Sequence, residues 1–334
     1  MKNFKITALL FFLCVLFSCD KMNLARNNPN DPKSESFKAS LPKLATSAAT
    51  SITITTATLG GTSISDGGAP ITAKGVCWGL TTNPTTANSK STTTPGTGQF
   101  STSVTGLTMG TKYYIRCYAT NSTGTAYGSQ LIFTTLLADV NGNIYHTVAI
   151  GTQVWMAENL KASKYRNGNI IAKVTDPASW KNLSAGAYCS YTNNTTDSIT
   201  YGNLYNWYAV HDARYLAPTG WHIPTQAELQ TLINYLGGQS VAGDKLKESG
   251  NTHWTGDYAL ATNSSGFTAL PGGFISTENS IYGFYNLGVI GQWWTSSEVD
   301  TNNAWSWSLD NSTSNAAINS GLKTAGFSVR CVKD

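Results

Sequence analysis

The apolar residues of this chain come in short alternating runs broken by Gly, Pro and Asn, and past Phe17 no run is long enough to cross a membrane. A chain patterned this way can bury its apolar residues only by pairing short strands and stacking the resulting sheets. Composition points the same way: of 334 residues only 12% are charged, while Thr, Ser, Asn and Gly are abundant. The length suggests about two domains. The net charge of +4 falls to about +2 once Lys2 and Lys5 are removed with a leader, and no basic stripe is present, which disfavours nucleic acid as a partner. The expected fold class is mostly β, with an α+β C-terminal domain.

The leader is read from the first residues. Lys2 and Lys5 precede the apolar stretch Ile6 to Phe17, and Ser18-Cys19 follows. A basic head, an apolar stretch of about twelve residues and a small residue before the cut describe a secretory signal peptide, too short to span the bilayer. Ser18-Cys19 resembles the lipobox of bacterial lipoproteins, with Phe17 bulkier than usual at its position. That resemblance implies cleavage of residues 1–18 and lipidation of Cys19, giving a lipid anchor in a bacterial outer membrane, on either its periplasmic or its outer face. Residues 19–45 are polar and aperiodic, with Asn27-Asn28-Pro29-Asn30-Asp31-Pro32, and read as a flexible tether.

Residues 46–136 read as one β-sandwich. Ile71 to Trp78 and Lys112 to Ala119 are its clearest strands. Gly106-Leu107, then Tyr113-Tyr114-Ile115-Arg116 and Ala119-Thr120-Asn121, resemble a fibronectin type III domain, and the resemblance implies that the Tyr113 hydroxyl caps a chain corner. Cys77 and Cys117 fall on neighbouring strands and are expected either to bridge or to remain as buried thiols.

Residues 137–334 differ in texture, being dense in Trp and Tyr. Asn141-Gly142 is a hairpin signal between Asp139-Val140 and Asn143 to Ile150. Tyr201 to Val210 is expected to open a helix. Thr225-Gln226-Ala227-Glu228 is a capping box, followed by Leu229, Leu232, Ile233 and Leu236 at helical spacing and Gly237-Gly238 as a stop. Val148 to Leu160, Tyr201 to Tyr208, Pro218 to Thr225, Gly266 to Gly273, Trp293 to Glu298 and Gly326 to Asp334 resemble the Fibrobacter succinogenes major paralogous domain. That resemblance implies a C-type lectin-like fold. Ile223 to Glu228 and Gly326 to Cys331 are also similar to the formylglycine-generating family, whose pair of redox cysteines this chain lacks. Ala217 stands where family members often carry Cys. Cys189 and Cys331 are then the only cysteines of this domain, and a bridge between them would contribute on the order of 4 kcal/mol.

No catalytic constellation emerges. The four histidines form no metal-binding pair, no nucleophile elbow or P-loop is present, and Asp176, Glu228, Glu278 and Glu298 suggest no hydrolytic pair. The calcium triplets of lectins of this fold are missing, and Ile150 stands where a calcium loop from Asp139 needs Glu. No cofactor and no metal are expected. What remains is binding. Tyr285, Asn302, Asn303, Trp305, Trp307, Asn311 and Asn315 combine aromatic faces with amides, which suits glycan or protein ligands. The reading is a monomeric, adhesin-like display protein. An enzyme acting on envelope or extracellular polysaccharide and a purely structural surface component are the alternatives.

Overall fold

The computed structural model describes residues 38–256, 260–278 and 281–334. The leader, Cys19 and most of the tether lie outside them.

Eight strands build the N-terminal domain: β1 (Lys43–Thr50), β2 (Ala57–Ser65), β3 (Ala73–Gly79), β4 (Ser89–Lys90), β5 (Gly98–Val104), β6 (Lys112–Asn121), β7 (Gly124–Tyr127) and β8 (Leu131–Thr134). One sheet runs β1-β2-β5. The other runs β4-β3-β6-β7, with β8 also pairing β6. Between them lie Leu59, Val76, Phe100, Tyr113, Ile115 and Phe133. This is a fibronectin type III-like sandwich. Its corner is closed as expected: the Thr108 backbone N–H donates to the Tyr113 hydroxyl at 3.0 Å. The folded part starts earlier than residue 46, because Ser40 N–H donates to Gly67 O, Asn121 donates to Ser40 O, and β1 opens at Lys43.

The expected Cys189–Cys331 bridge is corrected here, and of the two alternatives for Cys77 and Cys117 the structure has the buried thiols. All four described cysteines are buried free thiols. Val76 pairs with Cys117 and Cys77 with Arg116, so strand alternation sends the two sulfurs to opposite faces of the sheet. Cys189 packs against Trp180, Leu204 and Ile275, whereas Cys331 sits in a separate cluster with Tyr145, Leu160 and Val329. Burial pushes the Cys77 thiol up to about 11 and raises Cys117, Cys189 and Cys331 as well, keeping all four protonated and unreactive at neutral pH.

The second domain continues through β9 (Leu137–Ala138), β10 (Ile144–Tyr145), β11 (Thr147–Ile150), β12 (Gln153–Met156), β13 (Ala172–Lys173), α1 (Pro177–Trp180), β14 (Ala187–Cys189), α2 (Thr195–Tyr201), β15 (Leu204–Tyr205), α3 (Trp207–Val210), β16 (Trp221–His222), α4 (Gln226–Tyr235), α5 (Gln239–Leu246), β17 (Gly272–Glu278), β18 (Ile281–Leu287), β19 (Ile290–Glu298), β20 (Asn303–Asp310), β21 (Ala317–Leu322) and β22 (Val332–Lys333). The Asn141-Gly142 turn does join a hairpin, β9 with β10, in which the Asp139 carboxylate accepts from the Asn141 and Asn143 backbone N–H groups and from Tyr145. α4 carries both bonds of the Thr225–Glu228 capping box. The helix expected from Tyr201 is interrupted: Tyr201 ends α2, Leu204 and Tyr205 are taken into a strand, and Trp207 to Val210 forms a separate short helix capped by the Asn206 side chain.

The main sheet, β18-β17-β19-β20-β21, is covered on both sides. Trp293 and Trp294 are neighbours in the chain and so face opposite ways. Trp293 stacks on Trp307 at 4.4 Å in the core under α4 and α5. Trp294 packs on Phe327 at 4.2 Å in the other core.

A buried polar centre joins these layers. Arg330 is 1% exposed. Its Nε and Nη2 donate to Asn159 Oδ1 at 3.1 and 2.8 Å, and it also donates to the Phe267 and Thr268 carbonyls. The same Asn159 oxygen accepts from Trp293 Nε1 at 2.8 Å. Desolvation pulls the guanidinium down to about 9, still charged at neutral pH.

Two outcomes follow. Asn159→Ala removes the acceptor and strands a buried cation and an indole N–H, so urea unfolding is expected to show a loss of about 3 kcal/mol. Arg330→Met removes charge and need together and should cost less; the reverse order would contradict this account. Alkylation of the unfolded chain without reductant should label Cys77, Cys117, Cys189 and Cys331 alike, and a recovered 189–331 bridge would refute the thiol assignment.

Candidate functional site

The sequence-derived binding residues do not converge. Trp307 is 1% exposed and stacked in the core, so it is not a ligand contact. Asn302 sits in the turn before β20 and Asn303 opens the strand, both held by Asp300, while Asn311 and Asn315 lie beyond its other end. Eight residues of strand at about 3.3 Å each put roughly 25 Å between the two groups. Asn311 is also committed, donating to the Thr255 carbonyl at 2.7 Å. Tyr285 is on β18, packed against Phe274. Trp305 is half-buried opposite a bulge between Trp294 and Glu298, where Thr295 donates to its carbonyl.

The 302–303 turn nevertheless leads to a cleft. Lys323 N–H donates to Asn302 O. The Lys323 ammonium pairs with Glu298 and lies over the Trp207 ring. Trp207 stacks on His211 with ring centroids 4.6 Å apart. His211 opens onto a cavity of about 340 Å³ bounded by the 211–217 loop, His222, Ile223 and Ser296.

Tyr215 forms its exposed lip. It is 61% exposed and adopts φ of 58°, in the left-handed region that a bulky residue rarely occupies. The turn is held locally. Tyr215 N–H donates to Asp212 O, Arg166 N–H donates to Tyr215 O, and the Arg166 guanidinium lies 4.8 Å from the ring centroid. Arg166 is fixed by the carbonyls of Ala217, Pro218 and Trp221. Non-glycine strain of this kind gathers at functional sites.

The charges at the cleft are paired. Asp212 accepts two bonds from Arg214, at 2.8 and 2.7 Å, which hold its carboxyl below the usual range. His222 donates from Nδ1 to Asp334 at 2.7 Å and from Nε2 to Glu228 at 2.8 Å. Two carboxylate acceptors require two N–H donors, so the ring is the imidazolium. Burial opposes that charge, but the bonds to Asp334 and Glu228 outweigh it and raise the His222 pKa. Burial likewise works against Glu228, yet the Thr225 N–H and His222 hold its pKa low. Among the described residues, no group of three or more His, Cys, Asp or Glu is placed to hold a metal ion.

With this geometry in view, the comparisons decide the family. The Fibrobacter succinogenes major domain matches residues 148–333, more than half of the chain. The chain belongs to that family. No curated protein matches it. The N-terminal sandwich is similar to solved structures: the sensor domain of the anti-sigma factor RsgI4 in Pseudobacteroides cellulosolvens (19% identity, 29% of this chain and 97% of that one, TM-score 0.23); titin domains A168–A170 (22%, 29% and 33%, 0.23); and a human fibronectin type III domain (25%, 30% and 90%, 0.21). The sandwich assignment rests on the strand pairing itself.

Tyr215 escaped the sequence reading, and His211 and His222 were weighed there as metal ligands, His211 also as part of a helix, but not as binding residues. The signal was present: His222 lies inside a family motif, and His211 and Tyr215 flank the loop leading into it.

The Asp334–His222–Glu228 cluster makes a signed pH prediction. His222 has a raised folded pKa, so its contribution is whole below the usual 6.5 and fades as the pH rises through the folded value. Glu228 has a lowered one, so its contribution is whole above the usual 4.5 and fades as the pH falls through the folded value. Melting temperature measured against pH should show the gap between wild type and His222→Gln widest between about 4.5 and 6.5 and shrinking on the alkaline side. A gap independent of pH would rule out the imidazolium.

Proposed function

We propose that this chain is an exported display protein, lipidated at Cys19 and held at an outer membrane, whose C-type lectin-like domain binds a glycan in the Tyr215 cleft. The observation that carries the reading is the pairing of an exposed, backbone-strained Tyr215 with an exposed His211 ring across a cavity of saccharide size. Flat rings suit the C–H faces of sugars, and Ser296 and the loop carbonyls suit hydroxyl edges. The nearby carboxylates are already spent: Asp212 on Arg214, and Glu228 and Asp334 on His222. That favours binding over hydrolysis, which needs a pair of carboxyl groups free to meet substrate.

A glycan array probed with the full chain tests this. Bound glycans should be lost, by at least about tenfold in affinity, in the His211→Ala/Tyr215→Ala variant, and retained in Asn311→Ala/Asn315→Ala. Binding that survives loss of both rings would move the site elsewhere. Sugar release from a polysaccharide would replace the reading with an enzymatic one.

A further inference from the structure

A second cavity, of about 280 Å³, lies between β13, β14 and α2 and shares no wall residue with the Tyr215 cleft. Its wall is rich in donors. Lys161 and Lys173 both line it, no Asp or Glu does, and among the described residues neither lysine has a carboxylate partner. Asp197, the one carboxylate of α2, is not part of the wall.

The hydroxyls around the lysines are oriented by the protein or left unused. Ser163 Oγ accepts from Asn141 Nδ2 at 2.9 Å, which leaves its own proton to donate. Ser190 is buried and heads a short 3-10 turn, yet its side chain makes no capping bond. The amide that could have offered an acceptor is occupied: Asn203 Oδ1 takes the Ser198 proton at 2.7 Å, and its Nδ2 is spent on the Lys161 carbonyl. Two ammonium groups and free hydroxyl donors with no competing carboxylate select an anion. The remaining wall is not suited to a bare inorganic ion. Tyr188 presents a half-buried ring and Ile199 is 70% exposed at the rim, an apolar face beside the charged one. The volume falls just under the roughly 300–1,000 Å³ of small-molecule pockets.

We propose that this cavity binds a carboxylate-bearing saccharide, its uronate group held by Lys161 and Lys173 and its ring laid against Tyr188. The assignment stands apart from the Tyr215 cleft and survives or fails independently of it.

Calorimetric titration of the full chain with trigalacturonate tests it, with maltotriose as the uncharged trisaccharide and sodium sulfate as an inorganic competitor. Trigalacturonate should bind, more weakly as salt rises, and maltotriose should not. Lys161→Gln/Lys173→Gln, with an unchanged circular dichroism melt, should weaken trigalacturonate at least about tenfold. His211→Ala/Tyr215→Ala should leave it unchanged. Absence of heat with trigalacturonate, equal binding of maltotriose, or unaltered affinity in the double lysine variant each overturns the proposal. So does loss of binding in the His211→Ala/Tyr215→Ala variant, which would put the acid sugar in the other cleft. Displacement by sulfate at equal concentration would reduce the cavity to an inorganic anion site and likewise overturn it.

Discussion

The second domain depends on one strand-like segment, residues 326–333, which no single sheet owns. Gly326 bridges to Ile275 on β17, Phe327 to Tyr205 on β15, and Ser328 to Trp293 on β19. Val329 O then accepts from Leu160 N–H, Cys331 O accepts from Met156 N–H, and Val332 pairs with both Trp155 and His222. Three sheets are thus tied by eight consecutive residues. A segment used this way is buried on all sides, and its backbone groups must all find partners. Arg330 does the same with a side chain: it meets Trp293 at the Asn159 amide oxygen and donates directly to the Phe267 and Thr268 carbonyls. A guanidinium without a carboxylate is an expensive occupant of a core. Here five donors in a rigid fork specify which loops meet, and a hydrocarbon of the same volume would not.

That constraint explains why aromatic density misleads in this chain. Tyr and Trp clustered between 281 and 307 look like a binding surface. A sheet clothed on both faces, however, needs large side chains on both, and Trp293 and Trp294 supply one to each. Their indole N–H groups are satisfied inside, on Asn159 Oδ1 and on Tyr205 O. Tyr215, held outward by a strained turn, and His211, whose inner face is taken by Trp207, are rings that belong to neither core.

The legible parts of the fold were those set by local chemistry. The capping box of α4, the Asn141-Gly142 hairpin and the Tyr113 corner each depend on a few adjacent residues; the first two are as the local spacing implies, and the third is as the fibronectin type III resemblance implies. The illegible parts were set by distant partners. Leu204 and Tyr205 become strand residues because β14 pairs with them, and Tyr205 also bridges to Phe327, more than a hundred residues away. The cysteines stay apart because alternation and cluster membership place them so, and neither is visible in their number. The Tyr215 cleft is assembled from the 211–217 loop, β16 and β19, and no short motif contains all three.

The two domains meet through the same terminal segment. Lys333, which follows Val332 on β22, donates to Gly110 O at 3.0 Å and Thr111 Oγ1 at 2.8 Å in the sandwich. Gly110 has φ of 56°, and a Cβ there would lie 3.0 Å from the Trp221 ring, so the turn needs both the conformation and the space of glycine. Met109 adds a half-buried apolar contact to the second domain's core. The sandwich is therefore docked by specific contacts rather than strung on a free linker. Because Trp221 also gives its carbonyl to Arg166, and Arg166 supports Tyr215, a chain of direct contacts runs from the sandwich turn to the lip of the cleft. A sandwich coupled in this way holds one orientation relative to the 211–217 loop, which a free linker between the two domains would leave to diffusion.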